Sequence, residues 1–188
     1  MPLPSSGAIS LNQMHVEVGG TSNTTCSLND SDIRGLIGKA SGATSSFDQF
    51  YGASASYSAT MTVGQHIVTG QYGSSNHGFN DSSESGLFSP TDFGSLTSRD
   101  ASSFSNSGAT IEALFHTTAA NLGIRLIISD NTALSNSGWS TLTIGSSSLL
   151  RTDAIFSQGT GGQNFKGTWQ WNASNLFGTS GTKSISIS

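Results

Sequence analysis

The sequence predicts a mainly β protein in which a small N-terminal module of short helices and turns precedes an antiparallel β-sandwich. Ser, Thr and Gly supply 80 of the 188 residues, while charged residues make up only 10%. Glu and Lys, which fill exposed helix faces, occur three times each. Segments in which apolar and polar residues alternate recur between turn residues through the second part of the chain. This combination favours short strands joined by many turns.

Residues 1–54 contain a repeated helix-start pattern. Ser10, Ser27 and Ser46 each precede an apolar residue, and each is followed three positions later by Gln or Asp. This is the pattern of an N-cap with a capping-box partner, and it predicts three short helices. Asp30 and Asp32 are expected to cap the second helix.

A module of about 54 residues is small for an independent hydrophobic core, so we expect it to dock on a partner. In the second predicted helix, Ile33, Leu36 and Ile37 share one face. The apolar residues predicted for docking or interface contacts are Leu11, Leu28, Ile33, Leu36, Ile37, Phe47, Phe50 and Tyr51.

Residues 55–188 are predicted to form the β-sandwich, after a linker at 53–56. A long polar loop is predicted over 73–93, anchored by Tyr72, Phe79, Leu87 and Phe88. Strands are predicted over 57–63, 66–69, 110–115, 123–128, 139–144, 149–156, 165–171 and 182–188.

Trp169 and Trp171 lie two positions apart, so they share one face of a predicted strand. A sandwich poor in aliphatic residues needs large aromatic side chains in its core, which favours a core position for both. If that face is exposed instead, the pair forms a stacking platform for sugar rings or a subunit interface. Tyr72 and Phe79 are further candidates for ligand or interface contacts.

Patterns that carry catalysis or bind metals are weak in this sequence. The four His residues lack metal-ligand spacing, and a single Cys, Cys26, excludes an internal disulfide and a zinc site built on Cys. We therefore expect no enzymatic activity, no cofactor and no metal. The acidic residues favour loop solvation and turn capping, with a calcium site at 81–84 or a glycosidase-type acid pair as alternatives. The acids considered are Asp81, Glu84, Asp92, Glu112 and Asp153.

The sequence also bears on the classes of partner. Seven basic residues are scattered without a patch, so we expect no nucleic-acid binding. No run of 18 apolar residues is present, so we expect no membrane insertion. The first residues do not have the pattern of a signal peptide. Low charge and one Cys together indicate synthesis in a reducing cytosol, followed by work in an assembly or outside the cell.

Two sets of sequence strings resemble proteins of tailed bacteriophages. The strings at 6–11, 25–36, 40–43 and 47–52 resemble, in the same order, the N-terminal segment of tail-associated virion proteins. A second set is similar to a β-domain repeated in phage tail-fibre proteins; it comprises 61–64, 86–90, 137–145, 151–154 and 168–171.

The resemblance implies a non-enzymatic structural protein of a virion, assembled in the host cytoplasm. It implies a tail fibre or a baseplate or tail-tip protein that contacts other virion proteins. It also implies a homo-oligomer, such as the trimer common among phage fibres, and a sandwich presented for assembly or for attachment to a host-surface glycan or protein. The alternatives are a capsid decoration protein and a carbohydrate-binding module.

Overall fold

The computed structural model describes residues 3–18, 20–37, 39–40, 42–53, 56–69, 73–82, 91–101, 109–119, 123–137, 139–161 and 164–188. In these ranges the helices are α1 (Leu11–Glu17), α2 (Ser31–Gly35) and the 3-10 turns Phe47–Phe50 and Arg151–Asp153. The strands are β1 (Tyr57–Thr62), β2 (Gly64–Val68), β3 (Ser74–Asn80), β4 (Ser95–Leu96), β5 (Thr110–Thr117), β6 (Gly123–Asp130), β7 (Thr141–Ile144), β8 (Ser147–Leu150), β9 (Ile155–Gly161), β10 (Asn164–Trp171) and β11 (Thr182–Ile187).

Two of the three predicted N-caps are confirmed. Ser10 Oγ accepts a hydrogen bond from Gln13 N over 3.2 Å, and Ser10 N donates to Gln13 Oε1 over 2.7 Å, so α1 begins with a complete capping box. Ser46 precedes the turn Phe47–Phe50, and its N donates to Gln49 Oε1 over 3.3 Å. The expected helix at this position is a single 3-10 turn.

The prediction that Ser27 caps the second helix is wrong. Ser27 N donates to Asp30 Oδ2 over 2.8 Å, and Asp30 N donates to Ser27 O over 3.0 Å, so these residues close a turn. The helix begins four residues after Ser27, at Ser31, and Asp30 is its N-cap residue as predicted. The carboxylate of Asp30 closes the preceding turn and does not bond the first turn of the helix.

Residues 3–53 have a small hydrophobic core of their own. Leu3, Met14, Ile33 and Phe50 are buried, with partly buried apolar residues around them. The two ends of the segment are joined by the backbone, because Leu3 N donates to Ala53 O over 2.8 Å. The boundary predicted between 54 and 55 lies outside the described residues.

Arg34 adds a polar centre to this module. Its side chain is buried, and its Nε donates to Ala40 O over 2.8 Å. The guanidinium also donates to the carbonyls of Ala43 and Leu28 and to Ser45 Oγ. One cation therefore connects the α2 segment with the loop that follows it.

Two antiparallel sheets form the rest of the described chain, which confirms the predicted fold class. The five-stranded sheet has the order β4-β1-β11-β7-β8, and the six-stranded sheet has the order β2-β3-β5-β6-β10-β9. Apolar residues from the facing sides of both sheets form one core, as expected for a sandwich. The fully buried residues of this core with the largest side chains include Trp169, Phe177, Met61 and Leu126. Phe93, Ala113, Phe115 and Ile127 form a separate buried cluster on the outer side of the six-stranded sheet.

Two strand predictions need correction. The predicted loop over 73–93 contains β3, whose residues 74–80 pair with both β2 and β5. The predicted strand over 149–156 is two strands, because the chain turns at Arg151–Asp153 between β8 and β9. Arg151 fixes this turn by donating from its guanidinium to the carbonyls of Trp139 and Asn136. The other predicted strands match observed strands within a few residues.

The chain passes from one sheet to the other between β1 and β2 at a site that requires glycine. Gly78 and Gly94 have φ angles of +141° and +69°, which favour glycine. A Cβ atom on Gly94 would lie 2.0 Å from Gly78 O, and one on Gly64 would lie 2.0 Å from Gly94 N. Three backbones therefore approach each other where no side chain fits.

Candidate docking surface

The predicted docking residues occupy different depths in the N-terminal module. Ile33 and Phe50 are fully buried, so their side chains stabilise the module from within. Leu11 and Leu28 are partly buried and pack around this core. Phe47 is 41% exposed and Tyr51 is 39% exposed, so these two aromatic side chains reach the surface.

Leu36 and Ile37 lie between these extremes and line a groove of about 480 Å³ with Tyr51. The groove also includes Lys39, Gln49, Gly52 and Ala53. Four of the predicted docking residues, Leu36, Ile37, Phe47 and Tyr51, therefore remain at least partly accessible for contact.

The polar groups around the groove are held by hydrogen bonds within the module. Lys39 Nζ donates to Thr44 O over 2.6 Å and to Gln49 Oε1 over 2.7 Å. Tyr51 Oη donates to Gly7 O over 2.5 Å, which fixes the aromatic ring at the rim. A rim held in place lowers the entropy that a partner must remove on binding.

Sequence reasoning missed Lys39 and Gln49 as groove residues because no helical period connects them. It also missed Val16, which is 46% exposed on α1. Val16 lies two positions after the buried Met14, so it projects from another side of the same helix. Because residues two positions apart lie on different sides of a helix, this spacing could have predicted that Val16 is exposed where Met14 is buried.

The core interpretation of Trp169 and Trp171 is confirmed, because both side chains are buried between the sheets. Trp169 Nε1 donates to Asn136 Oδ1 over 2.8 Å, and Trp171 Nε1 donates to Leu150 O over 2.7 Å. These bonds satisfy the polar ends of both indoles, and burial leaves no open face for a sugar ring. Phe79 is also buried in this core, and Tyr72 lies outside the described residues.

The acidic residues of the predicted loop serve local contacts. Asp81 forms an ion pair with Arg99, and Asp92 Oδ1 accepts hydrogen bonds from Ser82 N over 2.7 Å and from Ser82 Oγ over 2.5 Å. These bonds from Ser82 hold the pKa of Asp92 below its usual value. Glu84 lies outside the described residues. Within the described ranges, no group of three His, Cys, Asp or Glu residues is placed to hold a metal ion.

Glu112 departs from the expectation of a solvated acid. Its side chain is 1% exposed, and its Oε2 lies 3.0 Å from Lys166 Nζ. Glu112 lies at a bulge, where the register between β5 and β6 shifts. Asp153, in contrast, lies on the surface in the turn between β8 and β9.

His77 and His116 are directly opposite each other on β3 and β5. Burial, and secondly the neighbouring His77, lower the pKa of His116 from its usual value. His116 also lines a polar cavity of about 400 Å³ with Thr117, Thr118, Gly123, Asn172, Ala173 and Ser174. The pair places two imidazoles at one end of the sandwich.

Comparisons with protein-family models, with curated proteins and with solved structures found no match to this chain. In the part of the chain that the structure describes, no helix has the length and apolar character needed to cross a membrane.

Proposed function

We propose that this chain is a non-enzymatic structural component of a phage virion, a tail fibre or a baseplate or tail-tip protein. It docks on other virion proteins through residues 3–53 and presents the β-sandwich for assembly or host-surface attachment. The sequence strings that resemble the N-terminal segment of tail-associated virion proteins support the virion role.

One structural observation supports docking through the N-terminal module. After four residues are buried in its core, the module still exposes Phe47 and Tyr51, and Tyr51 lines a groove with Leu36 and Ile37. Aromatic and aliphatic side chains grouped in this way supply the apolar centre of a protein interface. A partner that inserts an apolar side chain into the groove would contact Tyr51, and Phe47 offers a second exposed ring in the same module.

Immunogold electron microscopy of intact particles, with antibody against residues 57–188, tests the virion role. Label at the tail end supports the proposal. Label distributed over the capsid would identify a decoration protein and contradict the tail location. Particles without label would contradict a virion role altogether.

The docking surface has its own test. Phe47→Ser removes an exposed ring without opening the buried core, so the chain should fold normally and enter particles less efficiently. Ile67→Ser is the matched control, because Ile67 is 55% exposed on a strand of the sandwich. Equal incorporation of the two variants would contradict docking through Phe47.

A further inference from the structure

In the part of the chain that the structure describes, strand β9 is an edge of the six-stranded sheet. Its residues 155–161 pair without interruption with 164–170 of β10, and the sheet order ends at β9. Ser157, Gln158 and Gly159 are exposed, and Ile155 is 71% exposed. A long row of unpaired backbone groups is a template for another strand.

Natural edge strands usually carry features that prevent such pairing, including charge, proline, a bulge or short length. The other three sheet edges in the described part of the chain are shorter: β4 has two residues, β8 has four and β2 has five. β9 has seven residues, with no charged residue, no proline and no shift in register with β10. It is the least protected of the four edges.

Two hydrogen bonds show which residues of β5 direct their backbone N–H and C=O groups toward β3 and which direct them toward β6. Asp81 N donates to Glu112 O over 3.0 Å, and Thr118 N donates to Ser75 O over 3.1 Å. Hydrogen-bonded and non-hydrogen-bonded pairs alternate in an antiparallel ladder. Even-numbered residues of β5 therefore bond to β3, and odd-numbered residues beyond the bulge bond to β6.

The same alternation continues through β6 and β10 to the edge. By the observed registers, the odd-numbered residues of β9 bond to β10. The N–H and C=O groups of Phe156, Gln158 and Thr160 consequently point away from the sheet.

We propose that β9 pairs antiparallel with β9 of a second copy of this chain, about a two-fold axis at Gln158. In this register Phe156 faces Thr160 of the second copy, and Gln158 faces its own counterpart. All three residues are then in hydrogen-bonded pairs, which gives about six new backbone hydrogen bonds. The two six-stranded sheets become one continuous sheet.

The chemistry of the edge favours a second copy over a different strand. An uncharged strand meets its own copy without like-charge repulsion, and it offers no charge by which to select a charged partner. Leu150, at the end of β8, is 51% exposed and is joined to the start of β9 by the short turn Arg151–Asp153. Leu150 and Ile155 therefore add apolar area beside the paired strands. This pairing is independent of the proposed virion role.

Sedimentation equilibrium of the full chain under reducing conditions, which keep Cys26 from cross-linking copies, tests the pairing. The expected species is a dimer of about twice the 19.3 kDa chain mass. Gln158→Lys places two ammonium groups opposite each other and should raise the dissociation constant at least about tenfold. Gln65→Lys on β2 is the matched control, because it adds the same charge at an exposed position of the opposite edge and should leave the dimer intact.

A charge-swap experiment keeps the test independent of any folding defect. Gln158→Lys and Gln158→Glu should each be largely monomeric alone, and an equimolar mixture should recover the dimer because opposite charges then meet at the axis. A monomeric native chain, a trimer, a dimer insensitive to Gln158→Lys, or a mixture that stays monomeric would each overturn the proposal.

Discussion

The N-terminal module and the β-sandwich of this molecule are stabilised by different interactions. Residues 56–188 bury aromatic and aliphatic side chains from two sheets in one continuous core. Residues 3–53 bury only Leu3, Met14, Ile33 and Phe50 fully or nearly so, and add a buried guanidinium that bonds backbone carbonyls. A chain with few charges and few aliphatic residues can thus use either apolar burial or concentrated hydrogen bonding, and each region should respond to a different kind of substitution.

The largest effect is expected from the apolar core of the sandwich. Trp169→Ala removes a side chain that packs against Trp139 and Phe156, with ring centroids 5.6 Å and 4.8 Å away. The cavity should lower the free energy of unfolding by about 3–5 kcal/mol. Urea unfolding followed by far-ultraviolet circular dichroism measures this loss.

Trp169→Phe is the control for this substitution, since it retains most of the apolar volume and should cost less. Amide hydrogen exchange should show the loss in residues 56–188, with protection of α1 retained. If amides in 3–53 and in 56–188 lose protection from exchange equally, the two cores do not unfold independently, and the distinction between them is wrong.

Sequence patterns predicted most strands of the sandwich but missed β3, for a physical reason. Its sequence contains Asn76, His77 and Asn80, which are buried although they are polar. Backbone pairing on both sides holds these residues in the sheet, and Asn76 Nδ2 donates to His66 O over 3.0 Å. Burial on both faces removes the alternation by which strands are recognised in a sequence.

The sequence predicted which apolar residues belong to the candidate docking site, but not which of them are buried and which reach the surface. In the turn Phe47–Phe50, Phe50 is buried and Phe47 is exposed. A single turn is too short to show a periodic apolar face, so the sequence gives no basis for separating the two residues. The same applies to the turn at Arg151, which depends on carbonyl groups that are distant in sequence.

The second largest effect is expected in the N-terminal module. Arg34→Met keeps the length of the side chain and removes its donors, which leaves carbonyls such as those of Ala40 and Ala43 without this partner. The module should lose about 1.5–3 kcal/mol of local stability, the range for hydrogen bonds to a charged group. Hydrogen exchange of amides in 3–53 measures this loss.

Arg151→Met is the matched control in the sandwich. It also removes bonds to two carbonyls, but the large apolar core supports that region, so the expected change in unfolding free energy is smaller. If Arg151→Met proves as costly as Arg34→Met, the two regions do not differ in their dependence on hydrogen bonding.

A smaller effect is expected from the helix caps. Ser10→Ala removes the Oγ acceptor of the capping box and should cost about 1 kcal/mol, whereas Ser27→Ala acts only on a turn and should cost less. Thermal unfolding of both variants provides the comparison. If Ser27→Ala and Ser10→Ala lower the free energy of unfolding equally, a helix cap stabilises this module no more than a turn does.

The smallest effect is expected from acid, and it should fall on the sandwich. Because the folded state holds the pKa of His116 below the value of about 6.5 in the unfolded chain, the unfolded chain takes up this proton more readily. The stability due to neutral His116 is therefore complete above about pH 6.5 and declines as the pH falls below it. His116→Gln should flatten this decline in unfolding free energies measured between about pH 7.5 and about pH 5. If the unfolding free energy of His116→Gln depends on pH as steeply as that of the native chain, the acid sensitivity lies elsewhere in the molecule. The imidazoles of His77 and His116 would then not distinguish the sandwich from the N-terminal module.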